Sequence, residues 1–305
     1  MSPSPDGTVT WRELLGEASE RLRAAGVETA ESDARRIVAE ASGAGAEVAL
    51  VLSDPATVGG VNRLDRMVAR RCEGEPLQYV LGSWGFRTLD LMVDRRVLIP
   101  RPETEAVVET ALGELDRLGG REVPTRVADL GTGSGAIALS IATERVRTEV
   151  WATDVSEDAV AVARANLAGL GRAARRVTVV AGSWFAALPG HLRGSFHLVV
   201  SNPPYVPERA ELPPDVAEWE PGSALYSGPD GTGALRELVE GAGEWLRDDG
   251  VLVCELSPEQ ADAMAELAGA HFAEVHVAAD LTGRDRALVA RRPLRAAGHP
   301  GSTGA

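Results

Sequence analysis

The chain has 305 residues, 44% of them hydrophobic and 25% charged, and 45 acidic against 31 basic residues give a formal net charge of −14. That length predicts two domains, and the composition excludes a largely disordered chain. An acidic field repels nucleic-acid phosphates, no apolar run reaches the roughly 18 residues of a membrane span, and the N-terminus has neither the basic nor the apolar region of a secretory signal.

A cytoplasmic protein is therefore expected, with no membrane partner and no direct nucleic-acid partner. All its positive charges are Arg. Cys72 and Cys254 stand alone, which argues against a disulfide framework or a thiolate metal site. The five histidines lack metal-ligand spacing, so no metal is expected.

Residues 1–75 read as a helical bundle. Thr10-Trp11-Arg12-Glu13 is a capping box, followed by an apolar stripe of Trp11, Leu14, Leu15, Ala18 and Leu22. Further helices are predicted over 30–41, 46–52 and 58–72. The last carries Arg63, Arg66, Arg70 and Arg71 on or near its polar face, which is either solvated or a docking face for an acidic partner. After Pro76 the period changes to two, and residues 77–81 and 86–93 flank Gly82-Ser83-Trp84-Gly85, predicting a β-hairpin linker over 76–98.

From 99 to 292 a larger domain is expected. A helix after Ile99-Pro100-Arg101-Pro102-Glu103-Thr104-Glu105 leads into alternating strands and helices, with strands near 126–130, 149–153, 177–181, 196–201, 251–256, 273–278 and 286–291. This pattern predicts an α/β domain whose seven-stranded sheet is mostly parallel. The last two strands are too close for a helical crossover and are expected to pair antiparallel. Residues 293–305, rich in Gly, Pro and Ala, are expected to be a disordered tail.

Asp129-Leu130-Gly131-Thr132-Gly133-Ser134-Gly135 follows the first strand of that sheet and opens a helix, where a nucleotide-like ligand is expected to sit. Asp154 ends the next strand, a position suited to accepting hydrogen bonds from ribose hydroxyls. The Gly-x-Gly-x-Gly spacing and the extra acid Asp129 make a poor pyrophosphate cradle. They suit S-adenosylmethionine better, because its sulfonium and ammonium favour nearby oxygens. Trp184, after the third strand, is placed to pack on the adenine.

The fourth strand ends in Ser201-Asn202-Pro203-Pro204-Tyr205. A planar nitrogen conjugated with a carbonyl or an aromatic ring is a poor nucleophile, because its lone pair is delocalised. The Asn202 side-chain oxygen and the Pro203 carbonyl are two acceptors for its N–H groups, the prolines stiffen the turn, and Tyr205 can stack on the flat group. Such a motif marks amino-methylating enzymes and leaves glutamine and adenine both open as targets. Transfer there depends on positioning in a dry site rather than on a metal or an initial general base.

With these motifs in place, the stretch 76–292 resembles the release-factor glutamine N5-methyltransferases (HemK/PrmC). The resemblance rests on Pro-Leu-Gln-Tyr-Val-Leu-Gly at 76–82, Leu-Ile-Pro-Arg-Pro-Glu-Thr-Glu at 98–105, the glycine loop with its helix start at 129–138, Ser-Asn-Pro-Pro-Tyr at 201–205 and Glu-Pro-Gly-Ser-Ala-Leu at 220–225. It implies a Rossmann-like class I methyltransferase domain behind a helical domain that grips a protein substrate. The implied reaction is S-adenosylmethionine-dependent methylation of the Gly-Gly-Gln glutamine in bacterial class-1 peptide-chain release factors.

By the same resemblance, Gly131, Thr132, Gly133, Ser134, Gly135, Asp154, Trp184 and Asn202 hold the cofactor. Asn202, Pro203, Pro204 and Tyr205 clamp the glutamine, with Asn202, Pro203 and Tyr205 the catalytic set, and Phe86, Arg101 and Glu103 form site walls. Ser183 departs from the family, which often has Asp there. The alternative substrates are a ribosomal-protein glutamine and adenine in nucleic acid.

Overall fold

The structure is a computed structural model that describes residues 8–295. The chain divides into two compact units: residues up to Ser83 together with Leu212–Trp219, and Trp84–Glu211 together with the chain from Glu220 onward.

The first unit is a bundle of helices α1 (Trp11–Ala24), α2 (Ala30–Ser42), α3 (Val48–Val51), α4 (Val58–Cys72) and α5 (Leu77–Leu81). The capping box at its start is formed: the Glu13 amide donates to Thr10 Oγ1 at 3.3 Å and the Thr10 amide donates to Glu13 Oε2 at 2.8 Å. Trp11, Leu14, Ala18 and Leu22 then meet Ile37, Val38, Leu64 and Val68 in one core. A one-turn helix at Pro214–Ala217 belongs to the segment grouped with this unit.

Residues 77–81 form helix rather than the predicted strand. Pro76 starts the turn and Gly82, at φ 82°, closes it in the left-handed conformation that glycine accepts most readily. Leu77 and Val80, three residues apart, both enter the bundle core. The Arg70 guanidinium donates to the Tyr79 carbonyl at 2.9 Å, satisfying an acceptor left free near the helix end.

A hairpin does follow, but it is shorter and displaced. Strands β1 (Ser83–Phe86) and β2 (Leu89–Met92) turn at Arg87 and Thr88. Arg87 takes φ 51°. It is anchored by its amide to Glu105 at 2.8 Å and by its guanidinium to Glu144 and Glu109, so side-chain pairing supports a backbone conformation unusual for a bulky residue.

Helix α6 (Pro102–Arg117) leads into the main sheet. Its strands and helices are β3 (Thr125–Leu130), α7 (Ala136–Glu144), β4 (Thr148–Asp154), α8 (Glu157–Ala168), β5 (Val177–Ala181), β6 (Phe196–Ser201), α9 (Gly233–Trp245), β7 (Leu246–Glu255), α10 (Ala261–Gly269), β8 (Phe272–Ala279) and β9 (Asp285–Pro293). The strand order is β5-β4-β3-β6-β7-β9-β8. The β3, β4, β5, β6 and β7 pairings are parallel, and β9 runs antiparallel to both of its neighbours, so the single reversed strand is the last one, as expected.

Each sheet face carries its own core. Val107, Leu112, Leu139 and Ile141 from α6 and α7 pack on one face, and Leu235, Val239, Trp245 and Met264 from α9 and α10 on the other. The chain winds outward from β3 to β5 and then returns to β6, which makes the ends of β3 and β6 a topological switch point, the place where open α/β sheets bind ligands. The predicted tail from 293 begins with the end of β9, and its residues from 296 onward lie outside the described residues.

Candidate active site

The β3–β6 register pairs Asp129 with Val200. The glycine loop and the Ser-Asn-Pro-Pro-Tyr segment therefore leave the same edge of the sheet side by side, tied by Ser201 Oγ donating to the Leu130 carbonyl at 2.6 Å. Above them lies a cleft of about 1020 Å³, including the solvent at its mouth. Its wall includes Gly131, Thr132, Gly133, Ser134, Asp154 and Trp184 from the cofactor set expected from sequence, and Asn202 and Pro204 from the motif after β6.

Gly131 shows why its residue type is required. It sits at φ 74°, and a Cβ there would lie 3.0 Å from the Trp184 ring. Gly135, at φ 87°, caps helix α7 rather than facing the cleft, and a Cβ there would press on Leu139. Asp154 accepts from the Gly133 amide and from the Ser156 amide, each at 2.9 Å, so one carboxylate holds the loop and the start of α8. Burial raises its pKa against those two hydrogen bonds.

Asp129 lies beneath the loop with no exposed surface. Its Oδ2 accepts from Thr132 Oγ1 at 2.6 Å and from the Ala138 amide at 3.0 Å, while Oδ1 has no hydrogen-bond partner. Burial pushes its pKa up to about 7.

These features fit S-adenosylmethionine. The unmet Asp129 oxygen favours a cation close by, and the absence of a side chain at Gly131 lets the Trp184 ring pack directly on the loop at the cleft wall. The cleft offers no free cation for a pyrophosphate, because its one lining basic residue among those described, Arg96, is paired with Asp94 at 2.6 Å.

Asn202 reaches the cleft with its amide engaged from behind. Its Nδ2 donates to Thr104 Oγ1 at 3.1 Å, and Thr104 Oγ1 donates to Glu255 Oε2 at 2.7 Å. The Tyr205 hydroxyl donates to Glu255 Oε1 at 3.2 Å. Burial pushes the Glu255 carboxyl up to about 7, and burial together with the adjacent Glu255 raises the Tyr205 phenol above its usual range. The Tyr205 carbonyl accepts from Gln260 Nε2 at 3.0 Å.

Three expected walls are not among the residues lining this cleft. Phe86 is 1% exposed and belongs to the sheet core with Leu91 and Val107, because the displaced hairpin turns its ring inward. Arg101 forms an ion pair with Glu220, which also accepts from the Ile99 amide at 3.1 Å, so this pair pins the 99–101 segment to the 220–225 segment. Glu103 is exposed in the first turn of α6, where a carboxylate suits the helix dipole. Pro203 is buried and Tyr205 half-buried behind the cleft.

The cleft is lined instead by Val97, Leu98, Pro100 and Thr104, and by Pro221, Ser223 and Ala224 from the segment Arg101 holds. Sequence reasoning missed Leu98, Thr104, Glu255 and Gln260 as site residues. Thr104 was visible within the Pro-Arg-Pro-Glu-Thr-Glu stretch. Glu255 carried a different signal, a carboxylate ending the apolar run of residues 251–254 in the strand beside the one that leads to Asn202.

A seven-stranded sheet of this order, with a glycine loop and an acidic strand end around a cleft at its switch point, defines a class I S-adenosylmethionine-dependent methyltransferase. Two family models match, the PrmC N-terminal domain over residues 13–82 and the methyltransferase small domain over 115–218. The release factor glutamine methyltransferase of Bifidobacterium longum is 38% identical over 91% of this chain and 98% of its own length. That of Moorella thermoacetica is 41% identical over 93% and 99%.

Among solved structures, the catalytic domain of hMettl16 in complex with the MAT2A 3′UTR hairpin 6 aligns with a TM-score of 0.50 at 14% identity, covering 78% of this chain and 84% of that one, a likeness of fold alone. The chain belongs to the release factor glutamine methyltransferase family.

Proposed function

We propose that this enzyme methylates the side-chain amide nitrogen of the glutamine in the Gly-Gly-Gln motif of class-1 peptide-chain release factors. The observation that carries the reading is the likeness, across more than nine-tenths of the chain, to relatives named release factor glutamine methyltransferase. The cleft supports it. S-adenosylmethionine, held by the glycine loop, Asp154 and Trp184, supplies an electrophilic methyl group. Asn202 Oδ1 and the Pro203 carbonyl accept the two N–H groups of the glutamine amide, which fixes its plane and raises electron density on its nitrogen. Pro204, which lines the cleft, bounds the flat group, and Tyr205 is held behind it by Glu255. Nothing in the cleft favours adenine over glutamine.

The helical first unit is the part assigned to gripping the protein substrate. Of its arginines, Arg70 pairs with Glu75 at 2.6 Å and Arg71 with Asp33 at 2.8 Å, so both hold the bundle together. Arg66 is exposed and has no ion pair among the described residues, which leaves it available to an acidic partner. Mass spectrometry of a release factor after incubation with enzyme and S-adenosylmethionine tests the assignment. One methyl on the Gly-Gly-Gln glutamine is expected. An unmodified release factor beside a methylated ribosomal-protein glutamine would transfer the activity to that substrate.

A further inference from the structure

Asn202 is useful to an amide substrate only with its oxygen facing the cleft, since its NH₂ group would oppose the substrate's own N–H. A side-chain amide can rotate, so something must choose between the two orientations. Behind the cleft the choice is made by a chain of three groups. Glu255 ends β7, is 1% exposed, and as a carboxylate can only accept. Thr104, in the first turn of α6 and 3% exposed, must therefore give its hydroxyl proton to Glu255, across 2.7 Å. Its oxygen is then left as an acceptor toward Asn202, which has to present Nδ2, at 3.1 Å. Oδ1 is the remaining polar atom of Asn202, on a residue that lines the cleft.

We propose that Glu255 and Thr104 are positioning residues that set the Asn202 amide oxygen toward the substrate nitrogen, with Glu255 fastening Tyr205 through its hydroxyl at the same time. The inference rests on the glutamine-clamp reading of Asn202. It adds to that reading a polarity imposed from α6 and β7, two elements that contribute nothing else to the clamp. Protonation of Glu255 turns its carboxyl into a donor, frees Thr104 to donate toward Asn202, and lets the amide turn over. The groups facing Glu255 are Thr104 and Glu103 on α6, Tyr205 after β6, and Arg286 on β9. The relay is therefore intact on the alkaline side of the Glu255 titration and lost on the acid side.

Three variants and two readouts decide it. In Thr104→Val the shape is kept and the relay removed: kcat for a release factor is expected to fall at least tenfold, with the S-adenosylmethionine Kd within about twofold of wild type. Thr104→Ser, which restores the hydroxyl, is expected to recover most of the loss. In Glu255→Gln the acid limb of the wild-type kcat–pH profile should disappear.

The second readout needs neither substrate nor cofactor. The Asn202 side-chain NH₂ signals of the labelled full-length enzyme, identified by their loss in Asn202→Asp, should move with pH in wild type and stay still in Thr104→Val. Asn202 signals that behave alike in both proteins, or a Thr104→Val kcat within twofold of wild type, overturn the relay. If the wild-type enzyme leaves release factors unmethylated, the substrate assignment fails while the NMR titration still decides the relay.

Discussion

Asn202 and Asp129 illustrate how one side chain's partners set its chemistry. Asn202 has its NH₂ group committed to Thr104, so replacing it removes the acceptor proposed for the substrate amide while leaving the glycine loop untouched. Asn202→Ala is expected to lower turnover by about 10²-fold, with S-adenosylmethionine affinity measured by calorimetry largely spared. A near-normal rate would remove Asn202 from the clamp.

Asp129 acts on stability. Its folded pKa is raised from 3.8 to about 7 by burial, so the native state holds a proton that the unfolded chain releases. Between those two values unfolding therefore sheds protons, and stability declines as pH rises through the window. Asp129→Asn is expected to flatten this decline when denaturant unfolding at about pH 5 is compared with that at about pH 8. It should also weaken S-adenosylmethionine binding, because the unmet oxygen is lost; an unchanged pH slope would remove Asp129 as its source.

At the scale of elements, the β3–α7 and β6–α9 connections carry the site because the sheet brings their strand ends together. Much of this was legible beforehand. The glycine loop, Asp154 and the Asn-Pro-Pro-Tyr strand end are local signals, each complete within a few residues, and the first and last of them meet across one strand pairing. Less legible was the 77–92 stretch. Leu77, Tyr79 and Leu81 alternate as a strand would, yet Leu77 and Val80 also share a helical face, and the bundle core together with Arg70 decides for helix.

The glycine loop yields a sharp test. Gly131→Ala places a methyl group 3.0 Å from Trp184 in a left-handed backbone conformation that costs an L-residue about 1–2 kcal/mol. S-adenosylmethionine affinity should weaken by about tenfold while the far-ultraviolet circular dichroism spectrum is retained. Unaltered affinity would show that this close approach does not shape the cofactor pocket.

For the whole molecule, both units carry net acidic charge. The first unit holds 9 Arg against 15 acids and the rest of the chain 22 against 30. Arg66 is an exposed cation of the first unit with no ion pair among the described residues, and Arg66→Glu is expected to raise the apparent KM for a release factor several-fold with kcat unchanged. Identical KM values would return Arg66 to an ordinary solvated surface. Phe86 belongs to the stability of the larger unit, not to its chemistry. Phe86→Ala should lower unfolding free energy by about 3–5 kcal/mol, measured by denaturant titration, with little change in the substrate KM of the folded fraction. A stable variant with a large KM increase would restore Phe86 as a wall.

The sequence by itself determined the α/β class, the reversed last strand, and the glycine-loop and Asn-Pro-Pro-Tyr motifs that meet at the cleft. Each of these depends on neighbours along the chain: hydrophobic period, turn glycines, a connection too short for a crossover. Only the tertiary structure decided that Phe86 lies in the core, that Arg101 spends its charge on Glu220, and that Leu98 and Thr104 face the cleft. It also decided that Glu255, about 150 residues from Thr104 in sequence, sits one hydrogen bond away from it. A buried polar group must find a partner wherever the packing places one, and that partner is chosen in space, where linear spacing carries no record of it.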